Sequence, residues 1–417
     1  MTQTPGHVLL VGTGAYYDNV RRALQRLGVA SSVICVPSSL ARLRPQRDHQ
    51  FVVCTPDKEA WIDAAAEIDR SLPVTGLVCL VDSLMVHTAR IAERLGLPWH
   101  PLEVAATVHD KYRMRARLQD AGVRSVPATQ VESEDDVRAF AERVGWPIVV
   151  KPVRATGSLG VARLDGPDDV AGVLDRGAQH LHVAAAEPVF MAERFMTGPQ
   201  FSVETMSEDG AHHVVALTKK YSDPGTLVEV GHSLPVMLPD VERVSLEAYL
   251  TELLDALGVR FGPTCTELVW TDDGPTVIES QLRVSGDEIQ SLVERALGVD
   301  LIDVVVRQAA GQRVLPELRD APAARTAAAI WYARFPTGGE VLDVLGTDEA
   351  RAVDGVVDVR WTVEPGSTLR AFEHYGDRSA HAVAVAPDHE DAARSARTAV
   401  DRLGVAISVR PQTATYV

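Results

Sequence analysis

Lysine is scarce in this chain: of 41 lysine and arginine residues, five are lysine, namely Lys58, Lys111, Lys151, Lys219 and Lys220. A chain that draws its positive charge from arginine uses each compact ammonium for its own chemistry, because a guanidinium fork differs in geometry and hydration. Cysteine is scarce too. Cys35, Cys54, Cys79 and Cys265 stand singly inside apolar runs with no CxxC spacing, which argues against a zinc site or a disulfide framework and makes buried free thiols the expectation. Basic charge is in deficit: a net charge of -16 speaks against nucleic acid or an anionic membrane as partner. The opening MTQTPGHVLLVGTG has no basic n-region and no cleavage site, and its apolar run 8–11 is too short to span a bilayer, so a cytoplasmic protein is expected. No internal repeat or low-complexity tract is present. What remains, 46% hydrophobic and 24% charged over 417 residues, suits an ordinary globular chain with two or three cores.

The pattern along the chain changes twice. Apolar runs at 7–11, 32–36, 51–54 and 76–81 alternate with helical segments at 19–27, 61–70 and 83–95, which predicts a parallel sheet with crossover helices. Gly12 and Gly14 invite a dinucleotide reading, but Tyr17 fills the third glycine position and no acid follows the second strand, so that fingerprint fails. Beyond Pro98, a helix is expected over 108–121, another capped by Ser133 with Asp136 in its third position, and a strand over 147–150 ending at Lys151. EPVFMAERF, QFSVETMS and HHVVALTKKY then read as an antiparallel sheet, followed by a helix over 245–257. From about residue 315, AAAIWYARFP, VVDVRWTVEPG and SAHAVAVAP are strands, and Asp388 caps a helix running to Leu403. The expected organisation is an α/β unit at 1–105, an α+β unit at 106–315 and a C-terminal α+β unit at 316–417.

TCTELVW at 264–270 and PTVIESQ at 275–281 flank the turn TDDG. A three-residue loop of Asp272, Asp273 and Gly274 sets Thr271 against Pro275 and, counting outward, Glu267 against Glu279. Carboxylates facing each other across a ladder repel unless a cation lies between them or one is protonated. Alternation puts Gln281 and Arg283 on the face of Glu279. Magnesium suits two carboxylates plus a side-chain carbonyl, and it completes its shell with substrate phosphate, so a nucleotide site is expected. The bland reading, solvated strand glutamates in a different register, stays open at this point.

Positive charge and backbone donors stand upstream. Lys151 is followed by Gly157, Ser158 and Gly160, a loop whose N–H groups can approach phosphate without Cβ obstruction. No GxxxxGK[ST] and no kinase HRD or DFG set is present. In order, Lys111 in HDK, Lys151 in VVKPV, TGSLG, AERFMTG, and TEL with ESQLR resemble the ATP-grasp superfamily over roughly 100–315. The resemblance implies an ATP-grasp fold behind a Rossmann-like N-terminal domain, with a carboxylate phosphorylated by ATP and the acylphosphate attacked by an amine. It implies that Lys111 and Lys151 contact ATP phosphates under a flap holding Gly157, Ser158 and Gly160. It also implies that Glu193, Arg194, Phe195 and Met196 form the hinge beside adenine, that Glu267 and Glu279 hold magnesium (or manganese in its place), and that Arg283 neutralises the transferring phosphoryl group. Two residues depart from the pattern: Gln200 stands where a ribose-binding glutamate is usual, and Glu279-Ser280-Gln281 replaces E-x-N, leaving Gln281 to bind metal or substrate.

GGEV at 338–341, GVVDVRWTVEPG at 355–366 and the segment after 379 resemble the C-terminal part shared by biotin carboxylase-like enzymes and L-amino-acid ligases. VEVGHSLPV at 228–236 and RVSGDEI at 283–289 are more similar to the amino-acid ligases. The resemblance therefore implies an ATP-dependent ligase joining two small-molecule amino acids, through a peptide or γ-glutamyl bond. Glu229, His232, Arg283, Ser285, Gly286 and Asp287 are the candidates for substrate contact, and N–H donors at Ser285-Gly286-Asp287 could hold an α-carboxylate. A homodimer is the candidate assembly. A bicarbonate-using carboxylase of biotin carboxylase or purine type, and a non-catalytic ATP-binding module suggested by Gln200 and Gln281, stay open as alternatives.

Overall fold

HVLLV, apolar without interruption, is buried along its whole length as the strand His7–Val11. Such a strand needs cover on both faces, and it lies inside a parallel sheet ordered Val52–Cys54, Ala30–Cys35, His7–Val11, Gly76–Val78. The crossovers are the helices Tyr17–Leu27 and Ala60–Ser71, the first closed by Gly28 in the left-handed region. The computed structural model describes residues 6–43, 49–179, 188–321 and 326–408, together with Leu181 and Ala324. All four cysteines are free thiols, as expected, and Cys35, Cys79 and Cys265 are buried; Cys35 and Cys54 stand together. They are register partners on neighbouring strands with Sγ atoms 2.9 Å apart, and Cys54 is half-buried.

The helix expected over 108–121 is two helices, Leu102–His109 and Lys111–Asp120. Asp110 breaks it by taking extended geometry and accepting the Arg113 N–H at 3.1 Å, which makes it the N-cap of the second helix and sets Lys111 at that helix's first position. Ser133 and Asp136 form a capping box on Glu134–Val144. That helix packs Val137, Phe140 and Ala141 onto an antiparallel sheet ordered Ala128–Val131, Phe190–Arg194, Ile148–Pro152, Ala162–Leu164. EPVFMAERF thus joins this small sheet rather than the one containing the two runs after it, and its first residue, Glu187, lies outside the described residues.

The larger sheet has eight strands among the described residues, ordered Gly274–Gln281, Gly262–Thr271, Gln200–Glu208, Ala211–Ser222, Glu229–Leu234, Ala327–Ala333, Ala380–Ala386, Val356–Trp361. It runs past residue 315 without a break, because Ala327–Ala333 pairs directly with Glu229–Leu234. This continuity lets side chains from the last hundred residues reach the middle of the chain's largest sheet. A smaller sheet of Thr368–Leu369, Gly339–Leu345 and Gly404–Ser408 lies apart from it, and Asp388 caps the helix His389–Val400. Among the described residues no helix is long and apolar enough to cross a membrane.

One buried group makes the fold sensitive to acid. His100 is 2% exposed, neither of its ring nitrogens has a hydrogen-bond partner among the described residues, and burial lowers its pKa to about 4. The unfolded chain binds a proton there near pH 6.5 and the folded chain does not, so its contribution is complete above about 6.5 and is lost as pH falls toward 4, by ~3 kcal/mol in all. Urea unfolding of His100→Leu at pH 7 and pH 4.5 is expected to show a pH-dependent loss smaller than wild type by ~2–3 kcal/mol. An equal loss in both proteins would exclude His100 as the sensor.

Candidate active site

Between the small sheet and the larger one lies a cavity of about 510 Å³. One wall is the hairpin Gly262–Thr271 and Gly274–Gln281, whose turn differs from expectation: the loop has two residues, Asp272 and Asp273, with Thr271 opposite Gly274. That register alone would set Glu267 against Ile278. A bulge at Glu267/Leu268 moves it by one and sets Glu267 opposite Glu279. The two departures cancel, and the carbonyl of the extra residue, Ile278, accepts from Arg115 Nη2 at 2.7 Å.

Three lysines meet the carboxylates, Lys151 and Lys220 buried and Lys111 partly so. Lys111 Nζ lies 2.8 Å from Glu279 Oε2 and donates to the Ala155 carbonyl at 2.7 Å. Lys220 Nζ bridges Glu229 Oε1 at 2.5 Å and Glu267 Oε1 at 2.7 Å. Lys151 Nζ donates to Glu193 Oε1 at 2.6 Å, while Arg115 Nε donates to Glu193 Oε2 at 3.2 Å. Burial would raise the Glu279 carboxyl, but the Lys111 ammonium outweighs it and brings the pKa down to about 2. At Glu267 burial dominates; Lys220 opposes it, Glu229 and Glu279 reinforce it, and the result is about 7.

Glu229, Glu267 and Glu279 therefore crowd three carboxylates onto Lys111 and Lys220, and the surplus negative charge is expressed at Glu267. Hard oxygen donors short of positive charge fit a divalent cation. Gln281 donates through Nε2 to Glu279 Oε1 at 2.6 Å, and rotation of the amide by half a turn presents its carbonyl instead. Glu229, His232 and Asp287 also bring donor atoms within 4.8 Å of one another, but Lys220 already pairs with Glu229 and Arg378 with Asp287.

Around this centre the loop carrying Gly157, Ser158 and Gly160 lines the cavity. A Cβ on Gly157, at φ 67, would lie 2.4 Å from Tyr375 Cδ1, so the approach of the C-terminal segment requires glycine there. Ser158 Oγ donates to the Leu227 carbonyl at 3.3 Å. Opposite the loop, Glu193, Arg194, Phe195 and Met196 line the cavity, with the N–H groups of Arg194 and Phe195 bonded to the Pro127 and Pro147 carbonyls. The Phe195 ring has the Arg163 guanidinium 4.4 Å from its centroid, and the Arg194 side chain is turned to the Val144 carbonyl. Gln200 Oε1 accepts from Ser222 Oγ at 3.2 Å.

Glu229, His232, Arg283, Ser285, Gly286 and Asp287 also line the same cavity. Arg283 donates to the Val284 carbonyl at 2.9 Å. The Ser285 N–H donates to Glu204 Oε2 at 3.1 Å and its hydroxyl to Glu204 Oε1, which removes Ser285 from the set of free donors expected there. Asp287 receives Arg378 Nη2 at 2.6 Å and Nη1 at 2.7 Å, with His232 Nε2 at 3.2 Å. Against burial, these partners hold its carboxyl far below the usual range. Sequence reasoning gave no site role to Lys220, Arg115, Glu204, Arg378 or Tyr375. Lys220 had a signal, an uncommon lysine inside an apolar strand pattern, whereas Arg378 reaches Asp287 across 91 positions with none.

Residues 110–317 match the family described as the carbamoyl-phosphate synthase L chain ATP-binding domain, and 331–408 match the L-amino acid ligase C-terminal domain 2. An uncharacterized protein of Sinorhizobium fredii is 29% identical over 404 residues, 96% of this chain and 83% of its own. The alanine–anticapsin ligase of Bacillus subtilis is 25% identical over 237 residues, 52% of this chain, so the match spans 50% of that enzyme. The L-amino acid ligase of Bacillus licheniformis has the same fold, with TM-score 0.82 at 22% identity over 98% of this chain and 100% of that one. The chain belongs to the ATP-grasp carboxylate–amine ligases, enzymes that use ATP with a divalent metal. Within that class it carries the C-terminal domain of the L-amino acid ligases.

Proposed function

We propose that the protein joins two amino acids through an amide bond at the expense of ATP. A carboxylate oxygen of the first amino acid attacks the γ-phosphorus and ADP leaves. The amine of the second then attacks the acylphosphate carbon, phosphate departs and the nitrogen gives up its proton. The observation that carries this reading is the facing pair Glu267 and Glu279, set among Lys111, Lys151 and Lys220 in a cleft between two antiparallel sheets. The L-amino acid ligase C-terminal domain supports amino acids as the substrate class.

In this reading Lys111 and Lys151 contact the phosphates of ATP, and the loop with Gly157, Ser158 and Gly160 closes over them. The segment from Glu193 to Met196 flanks adenine, and Gln200 takes the ribose. Glu267, Glu279 and the Gln281 carbonyl hold magnesium, which when bound screens phosphate charge and supplies Lewis acidity. Arg283 balances charge on the transferring phosphoryl group, a role supported by its lack of a carboxylate partner among the described residues. Glu229 and His232 contact the first amino acid. The chemistry belongs in the cytoplasm, where ATP is supplied.

Phosphate release with ATP, magnesium and a panel of amino acid pairs, with ADP and AMP resolved, tests the proposal. One ADP and one phosphate are expected for each amide formed, and AMP as product would overturn the acylphosphate route. ADP formation that requires bicarbonate would instead identify a carboxylase, and ATP left intact with every pair a binding module.

A further inference from the structure

The catalytic cleft is backed by a second cavity, of about 440 Å³, whose lining includes Tyr332, Thr362, Arg370, Tyr375, Arg378 and His381. Tyr375 lines both cavities. The wall between them is an ion pair: Asp287 lines the first cavity, Arg378 lines the second, and the two are joined by both guanidinium Nη atoms.

The ligase reading, on which this inference rests, leaves one charge without a partner, the α-carboxylate of the amino acid whose amine attacks. Lys111, Lys151 and Lys220 are each paired with a carboxylate, Arg283 is given to the phosphoryl group, and the Ser285 N–H belongs to Glu204. Arg378 differs from these cations because backbone and ring contacts fix its guanidinium independently of Asp287. Its Nε donates to the Tyr375 carbonyl at 2.9 Å, its Nη1 to the Glu229 carbonyl at 3.3 Å, and its carbon lies 3.9 Å from the centre of the Tyr332 ring. A fork held in that way stays aimed if its carboxylate partner leaves.

Asp287 is also poorly suited to remain a permanent partner. It and Glu288 take φ of 53 and 61, consecutive non-glycine residues in the left-handed region, a conformation that side chains disfavour and that surrounding contacts must hold. Arg378 is one such contact, and the Tyr332 hydroxyl donating to the Asp287 carbonyl at 2.9 Å is another.

We propose that the second cavity receives the acceptor amino acid and that Arg378 binds its α-carboxylate in exchange for Asp287. The exchange replaces one bidentate carboxylate with another, so the buried guanidinium never loses its counter-charge. Displaced Asp287 keeps the His232 Nε2 contact and remains in the first cavity, on the side where the amine must enter. The acceptor's side chain lies among Tyr332, Tyr375, Thr362 and His381, which makes that cleft the part of the protein that selects the second substrate.

A product dipeptide tests this cleanly, because its only free α-carboxylate is the acceptor's. Dipeptides of alanine followed by alanine, phenylalanine or arginine, and their C-terminal amides, are titrated calorimetrically onto the full chain with ADP and magnesium. The wild type is expected to bind at least one free acid about tenfold or more tighter than its amide, the scale of one charge-assisted bidentate contact. Arg378→Ala should erase that preference and Arg378→Lys should keep part of it. Asp287→Asn removes the internal competitor with a residue that tolerates left-handed backbone, and should tighten binding of the acid several-fold, a gain that no folding defect produces. Equal binding of acid and amide, no binding of any dipeptide, a preference that survives Arg378→Ala, or weaker acid binding by Asp287→Asn would each overturn the assignment. Carboxylate-dependent binding without amide synthesis would refute the reaction and leave the site standing.

Discussion

Glu279→Gln is expected to reduce turnover by about 10³-fold, the kinetic equivalent of the several kcal/mol that a correctly held divalent cation supplies to a developing phosphoryl charge. Glutamine is a better probe than alanine because Glu279 has structural work as well. Lys111 lies 2.8 Å from its Oε2 with little solvent access, and truncation would leave that ammonium without a carboxylate. The amide keeps the shape and one acceptor while removing the charge on which cation binding depends. Wild type should gain thermal stability on adding ATP with magnesium beyond what ATP alone gives, and the variant should lose that increment. Turnover within tenfold of wild type, in a variant that still melts cooperatively, would remove Glu279 from the metal set.

The facing glutamates were legible in the sequence, although by a route the structure does not follow. Both TDDG as a three-residue loop and the observed two-residue loop with a bulge deliver Glu267 opposite Glu279. Turn length and bulges each move register by one, and nothing in TELVWTDDGPTVIES separates the two solutions. Helix boundaries were legible where a capping residue closes them, the Ser133 side chain at one start and the left-handed Gly28 backbone at one end, and were missed at Asp110, where an N-cap sits inside a continuous helical pattern. Lys111 and Lys151 stand out because lysine is rare here, and the same rarity marks Lys220. Arg378 and Glu204 belong to a different category. Their partners, Asp287 and Ser285, are distant in sequence, and arginine and glutamate are too common for composition to mark them. What periodicity shows is local; which charges meet across sheets is decided by strand order, here a C-terminal strand paired with Glu229–Leu234.

Lys220→Met is expected to be among the most destabilising single changes in the cleft, by ~3–5 kcal/mol, the cost of removing one partner from a buried ion pair. The Lys220 ammonium is almost inaccessible and serves two carboxylates, so its loss leaves Glu229 and Glu267 without their ammonium partner beside Glu279, which keeps Lys111. Methionine preserves much of the volume, so a loss of this size reflects charge rather than a void. If the damage is uncompensated charge, a second change that removes charge should repair it. Glu267→Gln in the Lys220→Met background is expected to recover most of the loss, because it removes one of the two carboxylates that the ammonium had paired. Divalent cation should act in the same direction on Lys220→Met and weakly on the double variant, since it supplies the charge the lysine no longer does. Denaturant unfolding of the four proteins, with magnesium and with chelator, measures each term. Additive losses in the double variant, with no cation dependence, would mean that Lys220 stabilises the cleft by packing, and that the crowding of carboxylates around Glu267 is not what a metal relieves.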